Sequence, residues 1–236
     1  MSTELMKVSD ELVNALDRAA ANGLLAQQQT SQFKRAFMVA EAVNELRAIM
    51  NPKVMDSFMK LQNTSIGFKT DRPKDGYPVD VVRDCLIDAT MNGVYCVGNE
   101  FNIISGQCYI TKNGFGHKLR DIPEFSWIET PGVPKFMGDK GALIEYVLEW
   151  WHKGKHFEKT LNLAIRVNAG MGADAIIGKA SRKARAWLYA TVTGMEIGDG
   201  DADDAVVIPA EEVKESPFEQ KPVQDAEEVE QDQLPM

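Results

Sequence analysis

The 236-residue chain is predicted to be an α+β protein with a helical N-terminal region, a small antiparallel β-segment packed with helices, and a disordered acidic C-terminal tail. Three observations carry that expectation. Apolar residues recur at helical spacing through the first sixty residues and again after Ala173. Between those stretches, short β-branched and aromatic runs are divided by glycine-containing turn dipeptides. Beyond Asp199 the chain is acidic, poor in aromatic residues and punctuated by Pro209, Pro217, Pro222 and Pro235.

The elements follow in order. Leu5, Val8, Leu12 and Leu16 line one side of a first helix that Asn22-Gly23 can end. A second helix starts at Thr30 or Ser31, runs through Phe33, Phe37, Val43 and Leu46, and stops at Asn51-Pro52. Pro52 opens a third, short helix. Residues 62–78 read as loop, because Gly, Pro, Asp and Lys crowd them. Val79–Met91 reads as helix with Val82, Cys85, Leu86 and Ala89 on one face, capped by Asn92-Gly93. Strands are expected at about 94–97, 100–104 and 107–111, then a short helix over 115–120. Residues 121–138, with three prolines and two glycines, are expected to be loop with one short strand at most. Residues 142–151 and 160–167 are expected to pair across a turn at Lys153-Gly154-Lys155. The late helix spans 174–193, with Ala173, Ile177, Ala180, Ala184, Trp187 and Leu188 on one side and Lys179, Arg182, Arg185 and Tyr189 on the other. Gly194 caps it. This divides the chain into a helical region over 1–61, expected to mediate oligomerisation, a DNA-binding core over 79–198, and a tail over 199–236.

Charge is unevenly spread. The net charge is −9, yet residues 195–236 alone contribute −12, so the remainder carries +3. An acidic tail masks a basic body, an asymmetry common in nucleic-acid proteins. No run of about 18 apolar residues exists to cross a membrane, and no apolar stretch suited to a signal peptide stands near the start. Three cysteines without CxxC spacing argue against a disulfide framework or zinc, and for a reducing cytoplasm.

Two segments are candidates for contacting nucleic acid. GKASRKARAWLY places Lys179, Arg182, Lys183 and Arg185 within seven positions. No acid stands four residues away to pair with the last three, which leaves them available to neutralise phosphates. CYITKNGFGHKLR interleaves Lys112, Phe115, His117, Lys118 and Arg120, cations to follow a backbone and rings to stack on bases. Other readings fail on register. A phosphate loop GxxxxGK[ST] needs glycine where Ala173 stands and a hydroxyl where Ala180 stands. DGDADD over 199–204 lacks the glycine and glutamate of a calcium loop, so at most it admits a weak divalent-cation site. His152 and His156 could share a metal on a helix, but Gly154 between them suggests a turn. No cofactor is required. The terminal DQLPM, after EEVEQ, is similar to the partner-recruiting tips of bacterial single-strand-binding proteins.

Taken in order, these features resemble the phage single-strand annealing proteins of the RecT/Redβ/Erf superfamily. A helix ending in Asn92-Gly93 leads into the strand-rich ATMNGVYCVGNEFNIISGQCYITKNGFGHKL. A late helix, GKASRKARAWLYATVTGMEIGDGDADD, then ends in a small-residue turn and an aspartate run. The likeness covers roughly residues 79–204; the proline expected after Val97 is absent, and residues 121–160 depart from the pattern. The resemblance implies ATP-independent annealing of complementary DNA strands by an oligomer forming rings or filaments, without covalent catalysis. Its implied partners are single-stranded DNA, a phage exonuclease or a host single-strand-binding protein, in a bacterial cytoplasm and without a membrane. Carried over by position, it implies DNA contacts at Lys112, Lys118, Lys179, Arg182, Lys183 and Arg185. The competing expectation is an acidic-tailed adaptor of a replication or recombination complex, with no annealing activity of its own.

Overall fold

The computed structural model describes residues 9–26, 29–195 and 197. It is a mixed α+β protein. The tail over 199–236, its tip, the DGDADD run and the first turns of the expected first helix lie outside the described residues.

Helices α1 (Asp10–Ala26), α2 (Gln32–Ile49) and α3 (Pro52–Met59) come first. Ser31 caps α2 by accepting from Lys34 N–H, and Asn51 caps α3 by accepting from Lys53 and Val54 N–H, so each break in the sequence doubles as the next helix start. The first helix does not end at Asn22-Gly23; it continues to Ala26. Gly23 is buried, and a Cβ there would lie 2.4 Å from Met91 Sδ and 3.1 Å from Ala42 Cβ. This glycine allows close helix approach rather than a cap.

Residues 62–78 hold a two-residue strand, β1 (Lys69–Thr70), within the expected loop. Helix α4 (Val79–Met91) matches its expected limits. Its buried Val82, Cys85, Leu86 and Ala89 pack it between the N-terminal helices and a three-stranded sheet of β1, β2 (Phe101–Ile104) and β3 (Gln107–Ile110). Residues 94–97 form no strand. Gly93 turns the chain at φ +70°, and Gly98 and Asn99 turn it again at positive φ, leaving a bend rather than an extended run. Helix α5 (Lys112–Arg120) follows, capped by Thr111.

The stretch expected to be mostly loop contains β4 (Phe125–Pro131) and β5 (Lys135–Phe136). Prolines are tolerated because these strands lie at a sheet edge. The long strands β6 (Gly141–His152) and β7 (Lys155–Arg166) pair antiparallel along their whole length, five residues beyond the expected start of the second strand. β6 is central, with β7 on one side and β4 and β5 on the other. The turn is Lys153-Gly154, with φ of +50° and +73°, the left-handed pair a two-residue hairpin favours.

Helix α6 (Ala173–Thr193) ends at the left-handed Gly194 and lies across the inner face of this sheet. Ile144, Tyr146, Leu148, Leu161, Leu163 and Ile165 meet Ile176, Ala180, Ala184 and Leu188 in one continuous core that reaches back to Ala19 and Leu46. The Tyr146 hydroxyl lies 2.9 Å from Ser181 Oγ. The buried side of α6 also includes Arg182 and Tyr189, so its faces are rotated from the expected wheel.

Candidate nucleic-acid interface

The late helix does not present its cations to solvent as expected. Arg182 is only 5% exposed. Its Nε donates to Ile110 O at 2.7 Å, and its guanidinium sits 3.8 Å from the Tyr109 ring centroid. It therefore joins α6 to the end of β3. Arg185 forms a two-pronged pair with Glu129 on β4, at 3.0 Å from Nε and 2.5 Å from Nη2, and donates from Nη1 to Lys112 O. That pairing raises the Arg185 pKa further, chiefly through the hydrogen bond to Glu129. Lys183 donates to Ala164 O at 3.0 Å and Lys179 to Arg166 O at 3.2 Å. In this conformation Arg182 and Arg185 are structural clamps, and the two lysines rest along β7. The missing i,i+4 acids did not leave them available; their partners are backbone carbonyls and one glutamate from distant segments.

The α5 segment divides as well. Phe115 is a core residue beside Tyr189, with ring centroids 6.4 Å apart. His117 is buried, its Nδ1 2.8 Å from Glu100 Oε2 and its Nε2 3.1 Å from Asp121 Oδ2. Both ring nitrogens thus face a carboxylate oxygen. Lys118 donates to Asn92 O and lies 4.8 Å over the Tyr189 ring. Burial pulls its ammonium pKa down, against a smaller upward pull from Asp121. Lys112 and Arg120 remain exposed at the two ends of the helix.

The arrangement best suited to a strand of nucleic acid lies elsewhere, at the tip of the β6–β7 hairpin. The sequence there is WHKGKHFEK, residues 151–159. Strand alternation sends Lys155, Phe157 and Lys159 to one face and Trp151 and His156 to the other. Phe157 is 41% exposed and stacks on Trp150 at 5.4 Å, with planes 13° apart. Trp150 in turn meets the edge of Trp187 on α6, which fixes the stack to the core. On the opposite face Trp151 stacks on His156 at 4.8 Å, and Glu149 Oε2 lies 3.6 Å from His156 Nε2. Lys153, Lys155 and Lys159 are exposed, and among the described residues no hydrogen bond or ion pair engages their side chains. The spacing from Lys155 to Lys159 is about 13 Å along the strand, with an aromatic ring midway.

His152 and His156 fall on opposite faces of the hairpin, so the helical i,i+4 geometry for sharing a metal does not exist. His152 instead meets the edge of Phe125. Among the described residues, no group of three His, Cys, Asp or Glu side chains gathers where a metal could be held. No described helix is long and apolar enough to cross a membrane.

The hairpin was missed in the sequence because its two histidines and two tryptophans invite a metal or core reading. A signal was present. Three lysines, one tryptophan and one phenylalanine in nine positions, with a glycine turn between them, must place both kinds of side chain at a solvent-facing tip. The charge balance agrees. Residues 9–121 hold 13 cationic and 13 anionic side chains, whereas 122–193 hold ten and seven, so the basic excess belongs to the four-stranded sheet and α6.

The chain matches no protein-family model, no curated protein and no solved structure.

Proposed function

We propose that the protein binds single-stranded DNA and anneals complementary strands without nucleotide hydrolysis. The observation that carries this reading is the hairpin tip, where Lys155, Phe157 and Lys159 form a cation–ring–cation row backed by the anchored Trp150. Cations neutralise a phosphate chain and release its counterions, while ring faces accept bases of any sequence. The resemblance to RecT/Redβ/Erf proteins supports the same reading, as does the failed phosphate-loop register.

The mechanism needs no covalent step. Protomers assembled as rings or filaments hold a strand by its phosphates and leave base edges accessible. A second strand then pairs, and stacking drives the product. The protein lowers the electrostatic and ordering cost of the encounter. Such a role fits a bacterial cytoplasm, with an exonuclease or a single-strand-binding protein as the source of the strand. Lys112 and Arg120 extend the contact surface; Arg182 and Arg185 support it from within.

The test is direct. Purified protein should shift a labelled oligonucleotide at low salt, release it as salt rises, and accelerate annealing of complementary oligonucleotides in nucleotide-free buffer. No shift and no acceleration would end the proposal.

A further inference from the structure

A cavity of about 790 Å3 lies beside Tyr95, outside the hairpin contacts. Its walls bring together α1, the α4–β2 connection, α5 and the end of α6, with Asp17, Gly93, His117, Lys118, Asp121 and Pro123 among the lining residues. The volume suits a ligand of nucleoside size.

One buried group organises the entrance. Glu100 is 9% exposed, and its Oε2 accepts the Tyr95 backbone N–H at 2.8 Å while also bonding His117 Nδ1 at 2.8 Å. The Tyr95 ring therefore rests on the imidazole, with centroids 4.1 Å apart and planes tilted by 35°. Yet Tyr95 is 61% exposed. A buried carboxylate and a buried histidine hold an aromatic ring in place at the surface, which core packing does not require. Across the cavity, Lys118 Nζ spends one hydrogen on Asn92 O, and the ammonium has two more to offer. Gly93 keeps that side open: with φ +70° it suits glycine, and a Cβ there would come within 3.3 Å of Lys118 Nζ. Asp17 and Asp121 supply acceptors.

This composition discriminates among ligands. Two carboxylates at the wall and a third beneath Tyr95, against one ammonium, oppose a phosphate or another anion. The charged walls oppose a purely apolar ligand. A planar group with both carbonyl acceptors and N–H donors, the pattern of a nucleobase edge, satisfies ring, ammonium and carboxylates together. The cavity also adjoins the hairpin. Pro123 lines it, the next residue's carbonyl, Glu124 O, accepts Lys153 N–H at 3.2 Å, and Phe125 meets His152 with centroids 6.1 Å apart.

We propose that the cavity receives one unstacked base of a single strand held at the hairpin tip, stacked on Tyr95, with Lys118 Nζ donating to a ring carbonyl and Asp17 or Asp121 accepting from a base N–H, such as the ring N3–H of thymine. This rests on the single-strand-binding reading above. The experiment uses the full-length protein with a thymidine oligonucleotide carrying 5-iodo-deoxyuridine, photocrosslinked and mapped by mass spectrometry, alongside affinity measurements on Tyr95→Leu and Tyr95→Trp. A crosslink at Tyr95, affinity reduced roughly 5- to 100-fold in Tyr95→Leu and restored in Tyr95→Trp, is the expected result. Salt-dependent binding with crosslinks confined to 150–160 and wild-type affinity in Tyr95→Leu overturns the base pocket and leaves the DNA-binding reading standing. Absence of binding by the wild-type protein overturns both.

Discussion

Helix α6 and the β6–β7 hairpin are both rich in cations, and the two regions use them in opposite ways. On α6, Arg182 enters the core, Arg185 grips Glu129, and Lys179 and Lys183 lie on β7 carbonyls. On the hairpin tip, Lys153, Lys155 and Lys159 extend into solvent beside exposed rings. The denser cluster in sequence is the structural one. A helix packed across a sheet has only a narrow solvent-facing stripe, so several cations on it must find protein partners. At the two-residue turn between two long strands, the adjoining start of β4 offers Lys153 a backbone acceptor but no partner for the lysine side chains.

The comparison can be broken most sharply at Arg182. Replacing it with methionine keeps most of the volume but removes the donor to Ile110 O and the contact with Tyr109. A loss of about 2–4 kcal/mol in urea unfolding is expected, with DNA affinity per folded molecule nearly unchanged. If stability holds and affinity falls instead, the clamp reading of α6 is wrong. For the same reason, reversing Arg182 to glutamate is a test of folding before it is a test of binding.

A smaller loss, about 2 kcal/mol, is expected for Glu129→Gln, which leaves Arg185 half-buried without its full counter-charge. A double-mutant cycle with Arg185→Gln should recover part of that cost; strict additivity would show that the pair is not coupled. The opposite pattern is expected at the hairpin. Lys155→Glu with Lys159→Glu should weaken oligonucleotide binding about 10- to 100-fold at low salt and flatten the log–log salt slope by roughly 0.7 per lysine. Unfolding free energy should stay within about 0.5 kcal/mol. Unchanged affinity would remove the tip from the interface.

The smallest effect concerns neither region and serves as a control. Asp71 accepts from Ser105 N–H at 3.0 Å and from the Tyr77 hydroxyl at 2.9 Å, and the Ser105 bond leads in holding its carboxyl below the usual range. Because the folded pKa is depressed, this contribution is present above the unfolded value near 3.8 and fades as pH falls through the lower folded value. Asp71→Asn should flatten that part of the acid-unfolding profile slightly and leave DNA binding alone.

Much of the fold was legible because local signals and tertiary demands agreed. Ser31 and Asn51 cap the helices they precede, Val79–Met91 has an apolar face bounded by a good C-cap, and Lys153-Gly154 marks the hairpin. Gly23 misled because buried close approach and helix termination both select glycine. Residues 121–138 misled because edge strands tolerate the prolines that central strands reject. The candidate site was less legible for a different reason. Exposure of a cation depends on what packs against it, and Glu129, Ile110 O and Ala164 O come from segments 19 to 72 residues away. Lys112 and Arg120 kept their expected exposure; Phe115, His117 and Arg182 did not.

The lysines along β7 have a consequence for how the molecule behaves in a crowded solution. Counting in twos from the hairpin turn, Ala164 and Arg166 belong to non-hydrogen-bonded pairs with β6, so their carbonyls point out of the sheet edge. An outer strand with bare carbonyls is a template for another chain to add itself. Lys183 and Lys179 occupy those two acceptors and set positive charge along the rim. The end of this long edge farthest from the hairpin turn is thereby insulated against accidental strand addition. Neutralising the two side chains by acetylation would bare it, and the first symptom would be precipitation rather than lost affinity.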